Sequence, residues 1–370
     1  MTQSTLGNKR YIPELDGLRG IAALAVFFHH LCFTSIQPDG WNPFVRVLFS
    51  ASEYGLYGVE LFFVLSGFLI TSLLLQDRSS ENFYHNFYWK RALRILPLYL
   101  ISLSAVWLLI QNSTGGVILG ALFLANFASI FHVQLGGPYW TLAIEEQFYL
   151  IWPRFVRKLP TQQVKALSIG IIIVEPILRL IATFFHHHDF IFTFFHCDGL
   201  AFGALLASQS FSDRKSFQDA PTRNTWANSS LWIIISALIC VLSESKLVAS
   251  SYPTQGTALL LSSICFLFYG IIRIAIEYSG SKYLALLRSP VLVFFGLISY
   301  CMYMSHAFVM QLYDYWHGPM QTGDMVAYGS RLGIVFGFTV ALCLVSRYAL
   351  ELPFMSLRKI VLRPESLENS

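Results

Sequence analysis

Arg19 and His30 are the residues in this sequence whose types and spacing best suit chemistry. They lie eleven positions apart in a run that is apolar except for Gly20 and His29. On a helix that rises about 1.5 Å per residue, His30 lies roughly 16 Å from Arg19, at a depth near the middle of a bilayer. An ionisable side chain at that depth is costly to desolvate and is a candidate for function. A structural histidine bonded to a neighbouring helix is the alternative.

Two adjacent carboxylates, Glu145 and Glu146, interrupt a second apolar run. Successive helical positions point about 100° apart, so only one of the two can face the interior site that contains His30 and His306. We expect Glu145 to face it, because Thr141 and Tyr149, four residues away on either side, carry hydroxyl groups. Glu146 is expected to form a buried ion pair, since an unpaired carboxylate is not tolerated against lipid.

Arg91 and Arg94 precede another apolar run and are three residues apart. On a helix they share a face, and two guanidinium groups on one face can grip a single anion such as a phosphate. Ordinary anchoring of a cytoplasmic helix end is the alternative.

His306 repeats the pattern of a histidine inside an apolar helix. It follows Tyr300 and Tyr303 at intervals of three, so the three side chains fall near one face. A structural histidine bonded to tyrosine and a catalytic histidine both fit this spacing.

No metal site is expected. Residues 186–189 read His-His-His-Asp, but three consecutive histidines point in different directions. The six cysteines lie in or beside apolar segments without Cys-x-x-Cys spacing, which favours free thiols over a zinc site or a disulfide framework.

Long apolar segments must position these side chains. The chain is 55% hydrophobic and only 12% charged, whereas soluble domains contain about 25% charged residues. Its basic residues are dispersed, so no nucleic-acid partner is expected. We therefore predict an all-α, polytopic membrane bundle: a single multi-pass domain over residues 1–370 with no appended soluble domain. The candidate spans are 17–35, 56–76, 92–111, 117–131, 140–157, 166–185, 190–209, 230–244, 256–277, 291–313 and 330–350.

The placement of lysine and arginine predicts ten crossings rather than eleven. Eleven crossings from a cytoplasmic start would put Arg154, Arg157, Lys158 and Lys165 outside, against the positive-inside rule. The conflict disappears if segment 117–131, which is short and surrounded by glycines, is a re-entrant element that enters and leaves on one side. Both termini are then cytoplasmic, and all but four of the 25 lysines and arginines lie on the cytoplasmic side.

Six motifs occur in order between residue 11 and about residue 355. They are Glu14–Gly20, the Arg-x10-His spacing of Arg19 and His30, Gly58–Thr71, the Arg-x-x-Arg of Arg91 and Arg94, Trp140–Tyr149, and Ser299–His306. Together they resemble the acyltransferase-three family of integral membrane O-acyltransferases. One position departs from the family pattern: the family often has arginine two residues before Asp198, where this chain has His196.

The resemblance implies transfer of an acyl group, usually acetyl, from acyl-coenzyme A to a hydroxyl of a sugar. It implies a surface or secreted glycan, or a lipid-linked glycan, as the acceptor, and a place in the cell (cytoplasmic) membrane. Acetyl-CoA is then a co-substrate, and no cofactor is bound permanently. The expected catalytic residues are His30, Glu145 and His306, and the expected donor-binding residues are Arg19, Arg91 and Arg94. The expected supporting residues are Asp16, Ser66, Trp140, Glu146, Asp198 and Tyr300.

Acyl transfer from a thioester to an alcohol needs a docked donor, a base for the hydroxyl, and stabilisation of the oxyanion. His30 could act as the general base or carry the acyl group covalently. A membrane transporter that uses the same His/Glu/Arg set as a proton or substrate relay is the alternative function, and a lipid or sterol sensor is a third. The sequence leaves open the acceptor, its side of the membrane, the acyl group and the oligomeric state.

Overall fold

The computed structural model describes residues 11–33, 43–110, 113–133, 135, 137–185, 190–212, 234, 238, 253–318 and 325–362. Within these ranges every regular element is helical, as the composition predicts. The α-helices are α1 (Pro13–Phe33), α2 (Pro43–Glu53), α3 (Gly58–Gln76), α4 (Phe83–Leu109), α5 (Thr114–Ala121), α6 (Tyr139–Lys158), α7 (Thr161–Phe184), α8 (Asp198–Ser212), α9 (Pro253–Glu277), α10 (Pro290–His317), α11 (Met325–Ser346), α12 (Leu352–Ser356) and α13 (Arg358–Val361). Short 3₁₀ turns cover Tyr54–Tyr57, Ala125–Phe127, Thr193–Phe195 and Lys282–Arg288, and a π-helical turn covers Arg347–Glu351.

Seven helical segments in the described ranges are long and apolar enough to cross a bilayer. They are Pro13–Cys32, Phe49–Gln76, Phe83–Leu109, Thr161–Phe184, Thr257–Glu277, Pro290–His317 and Val326–Val361. The predicted spans 140–157 and 190–209 are not in this set, because α6 carries five charged residues and α8 has only 15 residues. The predicted span 230–244 lies outside the described residues except at 234 and 238. Ten crossings and cytoplasmic termini therefore stay predictions.

The outer face of α7 shows how the bundle meets lipid. Ile169, Ile173, Ile177 and Ile181 follow one another at intervals of four residues, and each is exposed. This spacing places them on one side of the helix, where they form an apolar stripe that suits hydrocarbon rather than water. The polar Arg179 of the same helix is fully buried on the inner side. The chain is thus an integral membrane protein.

Segment 117–131 does not form one continuous helix. Helix α5 ends at Ala121, and the chain then passes through Phe123, a non-glycine residue with φ of 55°. The Gln147 amide of α6 donates to the Phe123 carbonyl at 2.7 Å and to Asn126 Oδ1 at 3.0 Å. The first of these bonds satisfies a carbonyl of non-helical backbone inside the protein, which is consistent with the predicted re-entrant element. The side of the membrane at which each end lies stays a prediction.

Four helices, α1, α3, α6 and α10, surround the centre of the bundle. Helix α1 packs closely along α10: a Cβ added at Gly20 would lie 2.1 Å from the Leu292 carbonyl oxygen. Helix α10 begins at the sequence Ser289-Pro290, where the serine hydroxyl accepts the Leu292 N–H at 3.4 Å and proline occupies the first turn. The start of α10 is therefore defined locally, and glycine brings it within backbone contact of α1.

Both ends of α1 are tied to the rest of the bundle. Glu14 is fully buried and accepts the Gly280 N–H at 2.7 Å. At the other end, Arg331 of α11 donates to the Leu31 carbonyl at 3.0 Å and pairs with both carboxylate oxygens of Asp314, at 2.9 and 2.8 Å. Arg19 and His30, between these two anchors, are consequently held at fixed depths.

Candidate active site

Two neighbouring cavities lie between α1, α3, α6 and α10. The smaller, of about 70 Å³, is called here the arginine cavity, and its polar lining comprises Arg19, Ser66, Thr141, Glu145, Ser299, Tyr300 and Tyr303. The larger, of about 550 Å³, is called the histidine cavity, and its polar and aromatic lining comprises His29, His30, Glu60, Trp140, His196, Tyr303, His306, Gln311 and Asp314. Val59 and Tyr303 line both cavities and form the partition between them.

The two predicted histidines meet at the wall of the histidine cavity. Their ring centroids lie 4.9 Å apart. His30 Nδ1 donates to the Val26 carbonyl at 2.9 Å, and His306 Nδ1 donates to the carbonyls of Met302 and Tyr303 at 3.1 and 2.8 Å. A neutral imidazole that donates from Nδ1 keeps its basic lone pair on Nε2. The Nε2 atom of His306 is buried and has no hydrogen-bond partner in the described part of the chain.

Glu145 lies in the arginine cavity, and this differs from the expectation that it shares a site with His30 and His306. Its Oε1 accepts from Ser66 at 2.9 Å, and its Oε2 accepts from Tyr149 at 3.0 Å. The reason is the register of α6. Thr141 hydrogen bonds to Tyr303 at the partition, so Glu145 falls one helical turn beyond it, on the side of Arg19.

Glu146 also differs from its expected role. Its Oε1 atom is buried and unbonded within the described ranges, and no ion pair of Glu146 occurs there within 4.0 Å. Arg91 is the cation whose charge acts on this carboxylate. The predicted buried ion pair is thus replaced by a longer-range interaction, because α6 turns the two carboxylates toward different neighbours.

The structure brings the predicted arginines together. The charges of Arg19, Arg91 and a third guanidinium, that of Arg358, all act on Arg94. Arg19 donates to Ser299 at 3.4 Å, and the Arg91 guanidinium lies 4.1 Å above the centroid of the Tyr149 ring. The Nε atoms of Arg19, Arg91 and Arg358 are buried without a hydrogen-bond partner among the described residues. Four like charges, three of them with an unused Nε donor, form a site that suits a multiply charged anion.

Arg358 is a residue that the sequence reasoning missed. It belongs to α13, after the last apolar segment, where a basic residue was attributed to the positive-inside pattern alone. The structure folds this terminal segment back onto α4: Arg358 donates to the Lys90 carbonyl at 3.4 Å, and His85 donates to the Val361 carbonyl at 3.1 Å. No local spacing signals this contact, because it joins positions 268 residues apart.

The supporting residues have different surroundings. Asp198 pairs with the fully buried Arg179 at 2.5 Å and accepts from Ser262 at 2.6 Å, so it lies in a polar network and is not part of the lining of either cavity. Asp16 accepts from Tyr11 at 2.6 Å at the start of α1. Tyr300 donates to the Ile95 carbonyl at 2.9 Å and thereby fixes α10 against α4.

Two more polar side chains line the histidine cavity, and one of them, Glu60, was not singled out from the sequence. Glu60, which is 3% exposed, lies 3.3 Å from His196 Nε2. His196 in turn packs edge-on against the indole of Trp140, at 5.4 Å between ring centroids. Glu60 stands inside the quoted motif Gly58–Thr71, and its charge in an otherwise apolar helix is the signal that could have identified it.

The metal and cysteine predictions concern other parts of the chain. Residues 186–189 lie outside the described residues. In the ranges that are described, no three His, Cys, Asp or Glu side chains are grouped to hold a metal ion. The described cysteines carry free thiols, and Cys240 lies outside the described ranges.

Comparison with known proteins identifies the family. A sequence model described as "Acyltransferase domain", that of the acyltransferase-three family, matches residues 12–348. The chain is 38% identical over 167 residues to YrhL of Bacillus subtilis (strain 168), whose name assigns it provisionally to the peptidoglycan O-acetyltransferases. It is 33% identical over 176 residues to the peptidoglycan O-acetyltransferase OatA of Listeria monocytogenes. These matches cover 40% and 42% of this chain.

A third relative, from Staphylococcus aureus (strain COL), carries a provisional O-acetyltransferase name and is 27% identical over 93% of this chain. The matches span only 24%, 26% and 57% of the three relatives' own lengths, so the chain corresponds to part of each. No solved structure matches. The residues that match the family model make up most of the chain and include all the residues that line the two cavities. The chain therefore belongs to the acyltransferase-three family of membrane proteins.

Proposed function

We propose that this protein is an O-acetyltransferase that moves an acetyl group from acetyl-CoA to a hydroxyl of a cell-surface glycan, peptidoglycan being the first candidate. The observation that carries the proposal is the pair of adjoining cavities. One is lined by Arg19, whose charge acts on Arg94 together with those of Arg91 and Arg358. The other has two imidazoles 4.9 Å apart, and a single partition separates the two cavities. The peptidoglycan O-acetyltransferase names of two relatives support this acceptor.

The guanidinium cluster is the proposed binding site for the donor phosphates. Arg91, Arg94 and Arg358 would hold the phosphates of coenzyme A, since guanidinium groups bind phosphate oxygens in a two-pronged geometry. The narrow arginine cavity, of about 70 Å³, suits the thin pantetheine arm rather than the nucleotide. The protein would lie in the cytoplasmic membrane with this end facing the cytoplasm, where acetyl-CoA is found.

The two histidines are the proposed site of the chemistry. In the general-base route, His30 Nε2 takes the proton of the acceptor hydroxyl as its oxygen attacks the thioester carbonyl carbon. The carbon–sulfur bond then breaks, and the imidazolium returns its proton to the departing thiolate of coenzyme A. His306, held by two backbone carbonyls with Nε2 as its basic atom, would bind the acceptor hydroxyl or help to share the proton.

A covalent route uses the same atoms in a different order. His30 Nε2 would attack the thioester, release coenzyme A, and pass the acetyl group to the acceptor in a second step. The two routes differ in one measurable species. Acid quenching after addition of radiolabelled acetyl-CoA without acceptor should leave label on the protein only in the covalent route, and His30→Ala should abolish that label.

The proposal is tested with purified protein in detergent, acetyl-CoA and a peptidoglycan fragment. We expect release of the coenzyme A thiol together with a gain of one acetyl mass on the glycan. A transporter that used the same residues would release no thiol from acetyl-CoA and would leave the glycan mass unchanged. That result, obtained with protein that still binds acetyl-CoA, would refute the acyltransferase function.

A further inference from the structure

Glu60 has a feature that donor binding and the two catalytic histidines leave unexplained. Its carboxylate lines the histidine cavity, although its side chain is almost completely buried. Oε1 lies 3.3 Å from His196 Nε2, while Oε2 is buried and has no hydrogen-bond partner within the described chain. A buried carboxylate oxygen without a partner has lost its hydration without compensation, so native proteins rarely leave one unused.

The proton positions around His196 leave no donor for Glu60 Oε2. His196 Nδ1 donates to the Phe190 carbonyl at 2.7 Å and therefore carries a proton. The contact between His196 Nε2 and Glu60 Oε1 requires one further proton, which belongs either to the ring or to the carboxyl group. In both cases Oε2 remains an acceptor without a donor. A hydroxyl or N–H group of a ligand in the cavity is the partner that fits.

An aromatic wall stands beside this carboxylate. The Trp140 indole lines the same cavity and is held nearly perpendicular to the His196 ring, at 81° between their planes. Sugar rings present apolar C–H faces together with hydroxyl edges. They therefore match a site in which an aromatic surface adjoins a few fixed polar acceptors.

The charge of the cavity narrows the ligand class. Its carboxylates are Glu60 and Asp314, and no lysine or arginine occurs among the described residues that line it. Asp314 is already engaged by Arg331 through two hydrogen bonds, so Glu60 is the carboxylate left for a ligand. An anionic acceptor would lose its hydration in this cavity without meeting a lysine or arginine among these lining residues, which disfavours its binding.

We propose that Glu60, His196 and Trp140 form the acceptor subsite and that this subsite selects an uncharged sugar ring, such as an N-acetylhexosamine, over an anionic one. The proposal rests on the acyltransferase function proposed above. Within it, Glu60 Oε2 accepts a hydroxyl or amide N–H of the sugar, and the Trp140 indole covers the sugar face. His196 positions Glu60, and the acceptor hydroxyl points toward His30 and His306.

The test measures binding, so it does not depend on turnover. Purified protein is titrated with an N-acetylglucosamine tetramer and with a galacturonic acid tetramer, and tryptophan fluorescence is followed. We expect the neutral tetramer to bind at least tenfold more tightly than the anionic one. Glu60→Gln should weaken neutral-tetramer binding at least tenfold and narrow the preference, whereas acetyl-CoA binding should change less than twofold. Glu53→Gln, which removes an exposed carboxylate on α2, is the matched control.

A second substitution covers the case in which Glu60→Gln fails to fold. Trp140→Phe keeps an aromatic ring but reduces the stacking surface, and it should weaken the neutral tetramer several-fold, as measured by calorimetry. Equal binding of the two tetramers by the unmodified protein, or unchanged tetramer binding by a folded Glu60→Gln protein, would overturn the subsite. Absence of acetyl transfer with tetramer binding intact would instead count against the proposed function alone.

Discussion

The hydroxyl groups of Thr141 and Tyr303 are hydrogen bonded at 2.8 Å at the point where the arginine and histidine cavities meet. Thr141 already donates to the Pro138 carbonyl at 2.8 Å, so Tyr303 supplies the proton of the shared bond. This contact joins α6 to α10 across the passage that an acyl group would take. It holds the Tyr303 ring at this boundary, where the ring forms a barrier between the two cavities.

Removing that barrier should expose the thioester to water. We expect Tyr303→Ala to raise acetyl-CoA hydrolysis in the absence of acceptor several-fold, measured as thiol release, because water would pass between the cavities. Tyr303→Phe keeps the ring and loses only the hydrogen bond, so its hydrolysis rate should stay within about twofold of the unmodified protein. Equal hydrolysis by both variants would show that the ring is not the barrier.

The two histidines should contribute unequally if His30 is the base. His30→Ala should reduce acetyl transfer at least 100-fold, about 2.7 kcal/mol in barrier, with normal expression and membrane insertion. His306→Gln should cause a smaller loss. Initial rates and thermal unfolding of both purified variants check this. Near-normal transfer by His30→Ala would make His30 a structural residue.

Arg358 should behave as part of the donor site. Replacement of Arg91, Arg94 or Arg358 by alanine should raise the apparent KM for acetyl-CoA at least fivefold, because each replacement removes one guanidinium group from the cluster. Lysine at the same positions should restore only part of the affinity, since it lacks the paired donor geometry. Lys359→Ala, an adjacent exposed position, is the control. An unchanged apparent KM for acetyl-CoA in Arg358→Ala would mean that the donor site consists of Arg19 and the α4 arginines without Arg358.

Glu145 and Glu146 should not be equivalent. Glu145→Gln should lower turnover at least tenfold, about 1.4 kcal/mol in barrier, because its carboxylate lines the arginine cavity beside Arg19. Glu146→Gln should leave turnover closer to normal and act on stability, because Glu146 Oε1 is buried without a bond among the described residues. Turnover and thermal unfolding, measured in parallel for the two variants, test this difference. Equal loss of both properties in both variants would make the carboxylates one structural unit.

The topology prediction can be tested without activity. Single cysteines introduced between residues 154 and 165, in a background without native cysteines, should react with a membrane-impermeant maleimide only from the cytoplasmic side. The charge argument requires this result, because Arg154, Arg157, Lys158 and Lys165 lie there. Labelling from the outside would remove the basis for a re-entrant segment at 117–131.

The sequence by itself determined the class of protein and most of the candidate residues. Apolar runs of spanning length made the helical membrane bundle predictable, since in lipid every backbone polar group must be satisfied within a helix or by buried protein. The spacing of Arg19 and His30 on one helix and of Arg91 and Arg94 on another followed from helical geometry alone. The ordered motifs likewise indicated the family that the comparison identifies.

Only the tertiary structure decided which of these residues share a cavity. The pairing of His30 with His306, the separation of Glu145 from both, and the return of Arg358 onto α4 join positions 115 to 276 residues apart. Helical periodicity gives the face of a side chain on its own helix. It does not give the register between helices, which is fixed by packing such as the backbone contact at Gly20 and Leu292. Glu60 is the clearest case, because its unused oxygen is visible only once His196 and the surrounding cavity are in place.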